Sequence, residues 1–336
     1  MHSPDHGRRA LPRCAISALL PLLVFTWLMG GSARAHGYDA LAQQDMRLAA
    51  IADAMLIANE RLCRHKMPVT GMILHSVDQY GDRTPAVFSN GPLAIAAVAP
   101  GSPAAASGLR AGDTIVAVDG TPVAHLVPEA NGHLREAAFF ALASLEPAKP
   151  ITITRERGDR REEIVLQPEA GCRSLVEVLA GDGPNARSDG RVIQLQYDFL
   201  LTLEDTQVAV ILAHELAHTV LEHRRRKEDA GIDNATLVRH LGRNQQVNRQ
   251  AEVEADRLSV HLLANAGYDP ALAVQFWHSP EGFAAGGGAM PSFIYPIQSA
   301  RARLIESEIA RYLPLRRGPS WPGHLVELRD DSFERD

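Results

Sequence analysis

The sequence predicts an α+β protein in which a mainly helical domain with a small sheet is interrupted near its N-terminus by a β-rich module. Three observations carry this. Stretches with apolar residues at helical spacing lie at 39–63, free of Pro and Gly, and again beyond residue 203. Between them, from Pro92 to about Leu166, short apolar runs alternate with turns rich in Gly and Pro. Just ahead of the second helical region, Ile193, Leu195 and Tyr197 alternate with Gln194 and Gln196, the period of a half-buried strand.

The helix expected over Asp39–Cys63 places Leu41, Leu48, Ile51, Met55 and Leu62 at helical spacing. Met72-Ile73-Leu74 is a short strand. In "PLAIAAVAPGSPAAASGLRAGDTIVAVDGTPV" (Pro92 to Val123) an apolar strand runs into a Pro-Gly-Ser-Pro turn. An Ala-rich helix, Gly112-Asp113, a second strand and an Asp119-Gly120 turn follow. "PITITRERGDRREEIVLQ" closes the module as a hairpin. After Cys172 come a short strand or helix, a turn-rich loop and the strand through Ile193. A helix follows from about Leu203 to Arg226, with Thr202 and Asp205 spaced as a capping box. Further helices are expected between Asn234 and Ala266, with a break near Gly242, from Pro270 to Trp277, and from Ser299 to Tyr312. Glu281–Ser292, with three consecutive glycines, reads as a mobile lid loop. The tail beyond Arg316 is highly charged and is expected to pack little.

The 336 residues suffice for one large or two ordinary domains, and 46% hydrophobic with 22% charged residues is a globular balance. A formal net charge of −6 offers nothing to a nucleic acid, and Arg224-Arg225-Arg226-Lys227 reads as a solvated helix end. At the start, Arg8, Arg9 and Arg13 precede an apolar run from Ala15 to Met29, and Ala33-Arg34-Ala35 closes it. That is the pattern of a secretory signal peptide over residues 1–35, with cleavage near Ala35 and a periplasmic or secreted product. The run is shorter than the ~20 residues a span needs, and no later stretch is long and apolar enough, so the mature chain is expected to have no transmembrane segment. Cleavage removes Cys14 and leaves Cys63 and Cys172. In an oxidising compartment such a pair points to a disulfide pinning the two ends of the inserted module, with two buried free thiols as the alternative.

The chemistry concentrates in "HELAH". His214 and His218 stand at i and i+4, on one face of a helix and about one turn apart. Two imidazoles so placed hold one Zn²⁺, and Glu215 beside them reaches the water that completes the coordination. A third ligand is needed. The metzincin pattern is excluded, because Leu221 and Arg224 occupy the positions of its glycine and third histidine; His223 falls on a different face and reads as structural. "NRQAEVEADRLSVHLL" offers Glu252 as the ligand and Asp256, again at i+4, as the carboxylate that orients a ligating histidine.

Two resemblances follow from these residues. The segment from about Phe88 to Leu166 resembles a bacterial PDZ domain of the kind found in periplasmic proteases. This implies a peptide ligand bound by strand addition, with Asn90, Gly91, Pro92 and Leu93 as the binding loop. The alternative is a module that only braces its neighbour. HELAH with the E-x-E-A-D segment, over about Cys172 to Tyr312, resembles the CAAX prenyl endopeptidase/HtpX family of zinc metallopeptidases, in its soluble periplasmic BepA-like branch. That resemblance implies a gluzincin-type fold, one Zn²⁺ on His214, His218 and Glu252, and Glu215 as general base, with Asp256 behind the ligands. It also implies Asn185 and Ala186 as substrate contacts on an edge strand. "YPIQSAR" departs from the family's His-Pro segment in having Tyr295 in the histidine's place; Arg301 keeps the arginine, and both are candidates for contact with the substrate.

The organisation expected is thus a signal peptide at 1–35, an N-terminal peptidase helix at 36–66, a PDZ-like domain with flanking linker at 67–170, a peptidase domain at 171–316 and a tail at 317–336. Three functions compete: an exported zinc endopeptidase acting on unfolded or mislocalised envelope proteins, a PDZ adaptor or chaperone on a weakly active or inactive peptidase fold, and a purely structural zinc site. A structural site is normally closed by four protein ligands, and no fourth candidate stands beside the three.

Overall fold

Helix α1 spans Tyr38–Ala58 in the computed structural model, which describes residues 37–81, 84–130, 132–181, 184–232, 242–286, 298–313 and 318–333. The signal-peptide segment lies outside the described residues. α1 stops short of Cys63 because the side-chain amide of Asn59 donates to the carbonyls of Met55 (2.9 Å) and Leu262 (3.1 Å), capping the helix while tying it to a distant one. A single 3₁₀ turn, Glu60–Leu62, follows.

α1 lies between two cores. Leu41, Leu48, Ile51 and Met55 enter the main core. Its other side, with Ala42 and the partly buried Tyr38, Met46 and Ala49, packs against Ile73, Ala96, Ala97 and Ala99 of the β-rich module. Small residues on both surfaces let helix and sheet approach closely.

The chain enters and leaves the module through a two-stranded antiparallel ladder of β1 (Lys66–Val69) and β8 (Glu169–Cys172), with Lys66 opposite Cys172. Cys63 and Cys172 form a disulfide at its base, Cα–Cα 5.4 Å. Gly71, at φ +75°, turns the chain into the module, and a Cβ there would lie 2.1 Å from that of Ser102. The module contains β2 (Met72–Ser76), β3 (Leu93–Val98), α2 (Pro103–Ala106), β4 (Thr114–Val118), β5 (Thr121–Pro122), α3 (Leu134–Ala143), β6 (Ile151–Arg157) and β7 (Arg160–Leu166). Its sheet runs β2-β3-β4-β6-β7, with β5 paired to β4. Leu93, Ile95, Ile115, Ile151 and Ile153 from the strands pack with Ala138 and Leu142 of α3. α3 has no counterpart in the sequence reading, since Ala137 to Phe140 form a continuous apolar run without helical period.

Beyond the ladder, β9 (Leu175–Leu179) runs parallel to β11 (Val192–Gln196), and β10 (Ala186–Ser188) pairs antiparallel with β11 on its other side. Then come α4 (Tyr197–Leu200), α5 (Asp205–Val220), α6 (His223–Asp229), α7 (Gly242–Asn265), α8 (Ala271–His278), α9 (Pro280–Ala285), α10 (Gln298–Tyr312) and α11 (Gly323–Val326). The helix expected from Leu203 to Arg226 is two: Glu222 adopts φ +51° and breaks it. The capping box of α5 is Glu204 with Gln207, not Thr202 with Asp205; Asp205 instead accepts a hydrogen bond from Arg47 Nε at 2.7 Å. Part of the expected lid is regular, because Pro at its first position and the Ser279 hydroxyl cap start α9; the triple glycine's remainder lies outside the described residues. The tail also packs. Leu325 and Val326 join the main core and Phe333 is fully buried, so a few well-placed apolar residues outweigh the segment's charge. No helix among the described residues is long and apolar enough to cross a membrane.

Charge reinforces the seam between module and helices. Buried Asp45 of α1 accepts hydrogen bonds from His75 Nε2 of β2 and the backbone N–H of Val178 in β9, both at 2.8 Å. Arg135 of α3 lies 3.6 Å from Asp45 and donates to Glu177 of β9. Arg135→Ala should cost about 3 kcal/mol, the low end for breaking a buried pair, because both carboxylates keep other donors. Urea unfolding measures this, and an unchanged midpoint would show the seam to be indifferent to the pair.

Candidate metal centre

The apolar residues of α5 (Val208, Ile211, Leu212, Leu216) hold it against α7, fixing the two helix faces that carry the candidate ligands. His214 Nε2 lies 3.3 Å from His218 Nε2 and 3.2 Å from Glu252 Oε2, and His218 Nε2 is 3.6 Å from Glu252 Oε1. A tetrahedral zinc site with bonds of ~2.0–2.1 Å has donor–donor edges of ~3.3 Å. The two imidazole nitrogens and the two oxygens of the Glu252 carboxylate therefore stand near the separations one ion requires, and the donor set is chemically apt for Zn²⁺. His214 and Glu252 are buried, while His218 and the adjacent Glu215 are partly exposed.

Each histidine is steered from behind. Asp256, fully buried, lies 3.1 Å from His214 Nδ1. Arg301 grips the same carboxylate with Nε (2.7 Å) and Nη2 (2.6 Å) and stacks on Trp277, its Cζ 3.3 Å from the ring centroid. Arg301 is 1% exposed, so its assignment as a substrate contact is corrected: it holds Asp256, which holds His214. Tyr295 lies outside the described residues.

The second relay was not foreseen. His218 Nδ1 is 2.7 Å from His223 Nδ1, His223 Nε2 is 3.0 Å from Glu254 Oε2, and Arg226 Nη1 donates to Glu254 at 2.6 Å. Arg226 is buried beneath Phe333, its Cζ 4.0 Å from the ring centroid, so the reading of 224–227 as a solvated helix end fails at its third residue. The protons in this chain have one consistent arrangement. Burial would raise Glu254, but His223 and Arg226 hold it near 2, so it only accepts. Burial keeps His223 neutral, lowered to about 4, hence Nε2–H donates to Glu254 and Nδ1 accepts from His218. His218 is likewise held well below its ordinary value by burial, and its Nε2 lone pair faces the centre.

His214 behaves differently: burial opposes its charge, but Asp256 and Glu252 raise it to about 10. Glu252 is lowered to about 2, its burial outweighed by the hydrogen bond and charge of His214 and by the charge of Arg301. Glu215 is raised to about 7, chiefly by burial. Replacing His223 by Gln should weaken zinc affinity by ~10–100-fold, the usual cost of losing such a partner. Competition with a chromophoric chelator measures it, and an unchanged affinity would reduce His223 to packing.

Of the expected substrate contacts, Ala186 opens β10, an edge strand packed near α5. Asn185 Nδ2 donates to the carbonyl of Ala284 in α9 at 3.1 Å, and its own carbonyl accepts from Gln196. In the module, the loop expected at Asn90–Leu93 feeds β3, which is paired on both sides, by β2 and β4, and cannot take another strand. That placement is corrected. The open edge belongs to β2, where Met72, Ile73 and Leu74 face Phe139 and Leu142 of α3 across a cleft of about 100 Å³. α1 and β9 also line this cleft, which explains its small volume against the ~300–1,000 Å³ of ordinary ligand pockets.

The PDZ-domain family model matches residues 95–137, so the module is a PDZ domain. Among solved structures, the chain is similar to the PDZ domain of HtrA3 bound to a phage-derived ligand (FGRWV). Identity is 22%, the match covers 32% of this chain and 88% of that one, and the TM-score is 0.23. No curated protein matches the chain.

Proposed function

We propose that the chain is an exported zinc-dependent endopeptidase of the CAAX prenyl endopeptidase/HtpX kind, acting on unfolded or mislocalised envelope proteins. The observation that carries this is the meeting of His214, His218 and Glu252 at zinc-ligand separations with Glu215 on the adjoining turn. An ion held by these three would polarise the scissile carbonyl and acidify a water beside it. Glu215 then accepts a proton from the attacking water as its oxygen adds to the carbonyl carbon, and delivers it to the amine nitrogen as the C–N bond breaks. The open edge of β10 offers backbone groups to an extended substrate.

In the PDZ domain, a peptide would add to β2 against α3, and α1 and β9 must yield for it to enter. The small cleft supports a bracing role in the state described here. Zinc analysis of the purified chain together with cleavage of an unfolded protein tests the proposal. Zinc bound without any cleavage would leave the PDZ adaptor reading in its place.

A further inference from the structure

Outside this centre, a second group of ligand-type side chains converges from three helices. His261 Nε2 of α7 and His324 Nε2 of α11 lie 3.1 and 2.7 Å from one oxygen, Oε1 of Glu308 in α10. The three donor atoms lie within 4.8 Å of one another. His261 and Glu308 are buried, and the His324 side chain is 28% exposed, which leaves a way in for an ion and for water to complete its shell.

Each donor is fixed from its far side. Arg257 Nε donates to the other carboxylate oxygen of Glu308 at 2.8 Å. His261 Nδ1 lies 2.6 Å from the Ser320 hydroxyl. The His324 ring stacks on Tyr312 with centroids 3.9 Å apart and planes within 16°. Such outer partners orient metal ligands.

A plain hydrogen-bonded clasp, with both Nε2–H groups donating to Glu308, uses the same atoms. The Ser320 hydroxyl can accept from His261 Nδ1–H, so moving the proton to Nδ1 frees the Nε2 lone pair for an ion while Nδ1 stays hydrogen-bonded. Two imidazoles and one carboxylate form a donor set suited to borderline divalent ions.

We propose that His261, Glu308 and His324 form a second zinc site, structural rather than catalytic, which fastens the C-terminal segment 318–333 to α7 and α10. The consequence reaches the first centre, because the same segment carries Phe333 over Arg226.

The test is zinc stoichiometry of the full chain dialysed against buffered micromolar zinc, read by native mass spectrometry. Wild type should hold two ions and His324→Gln one, since Gln keeps a donor for Glu308 but offers no imidazole. Glu252→Ala should also hold one, and the double variant none. His261→Gln provides an independent second removal. Should the peptidase reading fail, with no ion on His214, His218 and Glu252, wild type would hold one ion that His324→Gln alone abolishes. Equal zinc content in wild type, His324→Gln and His261→Gln would overturn the second site.

Discussion

Glu215→Gln is expected to keep the full zinc content of wild type and lose proteolysis by a factor of at least ~10²–10⁴, the range for removal of a general base. Gln preserves the size and helix propensity of Glu, so α5 and its packing against α7 are retained. The proposed ligand atoms belong to His214, His218 and Glu252, and the two histidines are steered by Asp256 and His223 rather than by Glu215. What disappears is a partly exposed carboxylate next to His214 that can take a proton from water. Glu252→Ala should behave oppositely, losing the ion and the activity together. Initial rates on an unfolded protein and zinc content, measured on the same preparations, separate the two roles. A Glu215→Gln protein that cleaves at the wild-type rate would sink the peptidase proposal.

How much of this was legible in the sequence follows from how local each signal is. His214 with His218, and Glu252 with Asp256, are pairs at i and i+4, so their juxtaposition follows from helical geometry alone. Periodicity also reveals α1, which buries a stripe through Leu41, Leu48, Ile51 and Met55, whereas α5 is buried nearly all round and shows itself as a long apolar run. The relay through His223, Glu254 and Arg226 depends on α6 and α7 meeting and on Phe333 closing over them from the other end of the chain. No local pattern encodes that, and a run of four basic residues disguised it. The E-x-E spacing in Glu252 and Glu254 was the available hint, since one helix then offers carboxylates on two faces. Arg301 was read as a substrate contact because a sequence does not say whether an arginine points at a cleft or at a buried aspartate. The PDZ peptide edge was misplaced for a related reason: an apolar strand looks alike at the edge and in the middle of a sheet, and pairing decides which it is. The expected lid is a mixed case: its first residues, Glu281 to Ala285, belong to a helix that Ser279 and Pro280 start, whereas its residues from 287 on lie outside the described residues.

The disulfide carries the second large effect. Cys63 and Cys172 are 109 residues apart, so their link closes a loop containing the whole PDZ domain. In the chain-entropy description a loop of that length restrains the unfolded state by about 4.7 kcal/mol. The native state is held at the same place by other means. β1 pairs with β8, Lys66 lies opposite Cys172, and α1 packs on both cores, so removing the link should leave the fold intact. Cys63→Ala/Cys172→Ala should therefore lose stability chiefly through a more expanded unfolded chain, by ~2–5 kcal/mol with native removals as the guide. Urea unfolding should show a lower midpoint together with a steeper dependence on denaturant, since more surface is exposed when the chain opens fully. Both cysteines are buried, which explains why alanine is the better replacement: serine would add a hydroxyl to an apolar site. Zinc at the first centre should be retained, because its ligands lie on α5 and α7 beyond the loop. Equal midpoints for the oxidised wild type and the double variant would show that the ladder and α1 alone hold the neck closed.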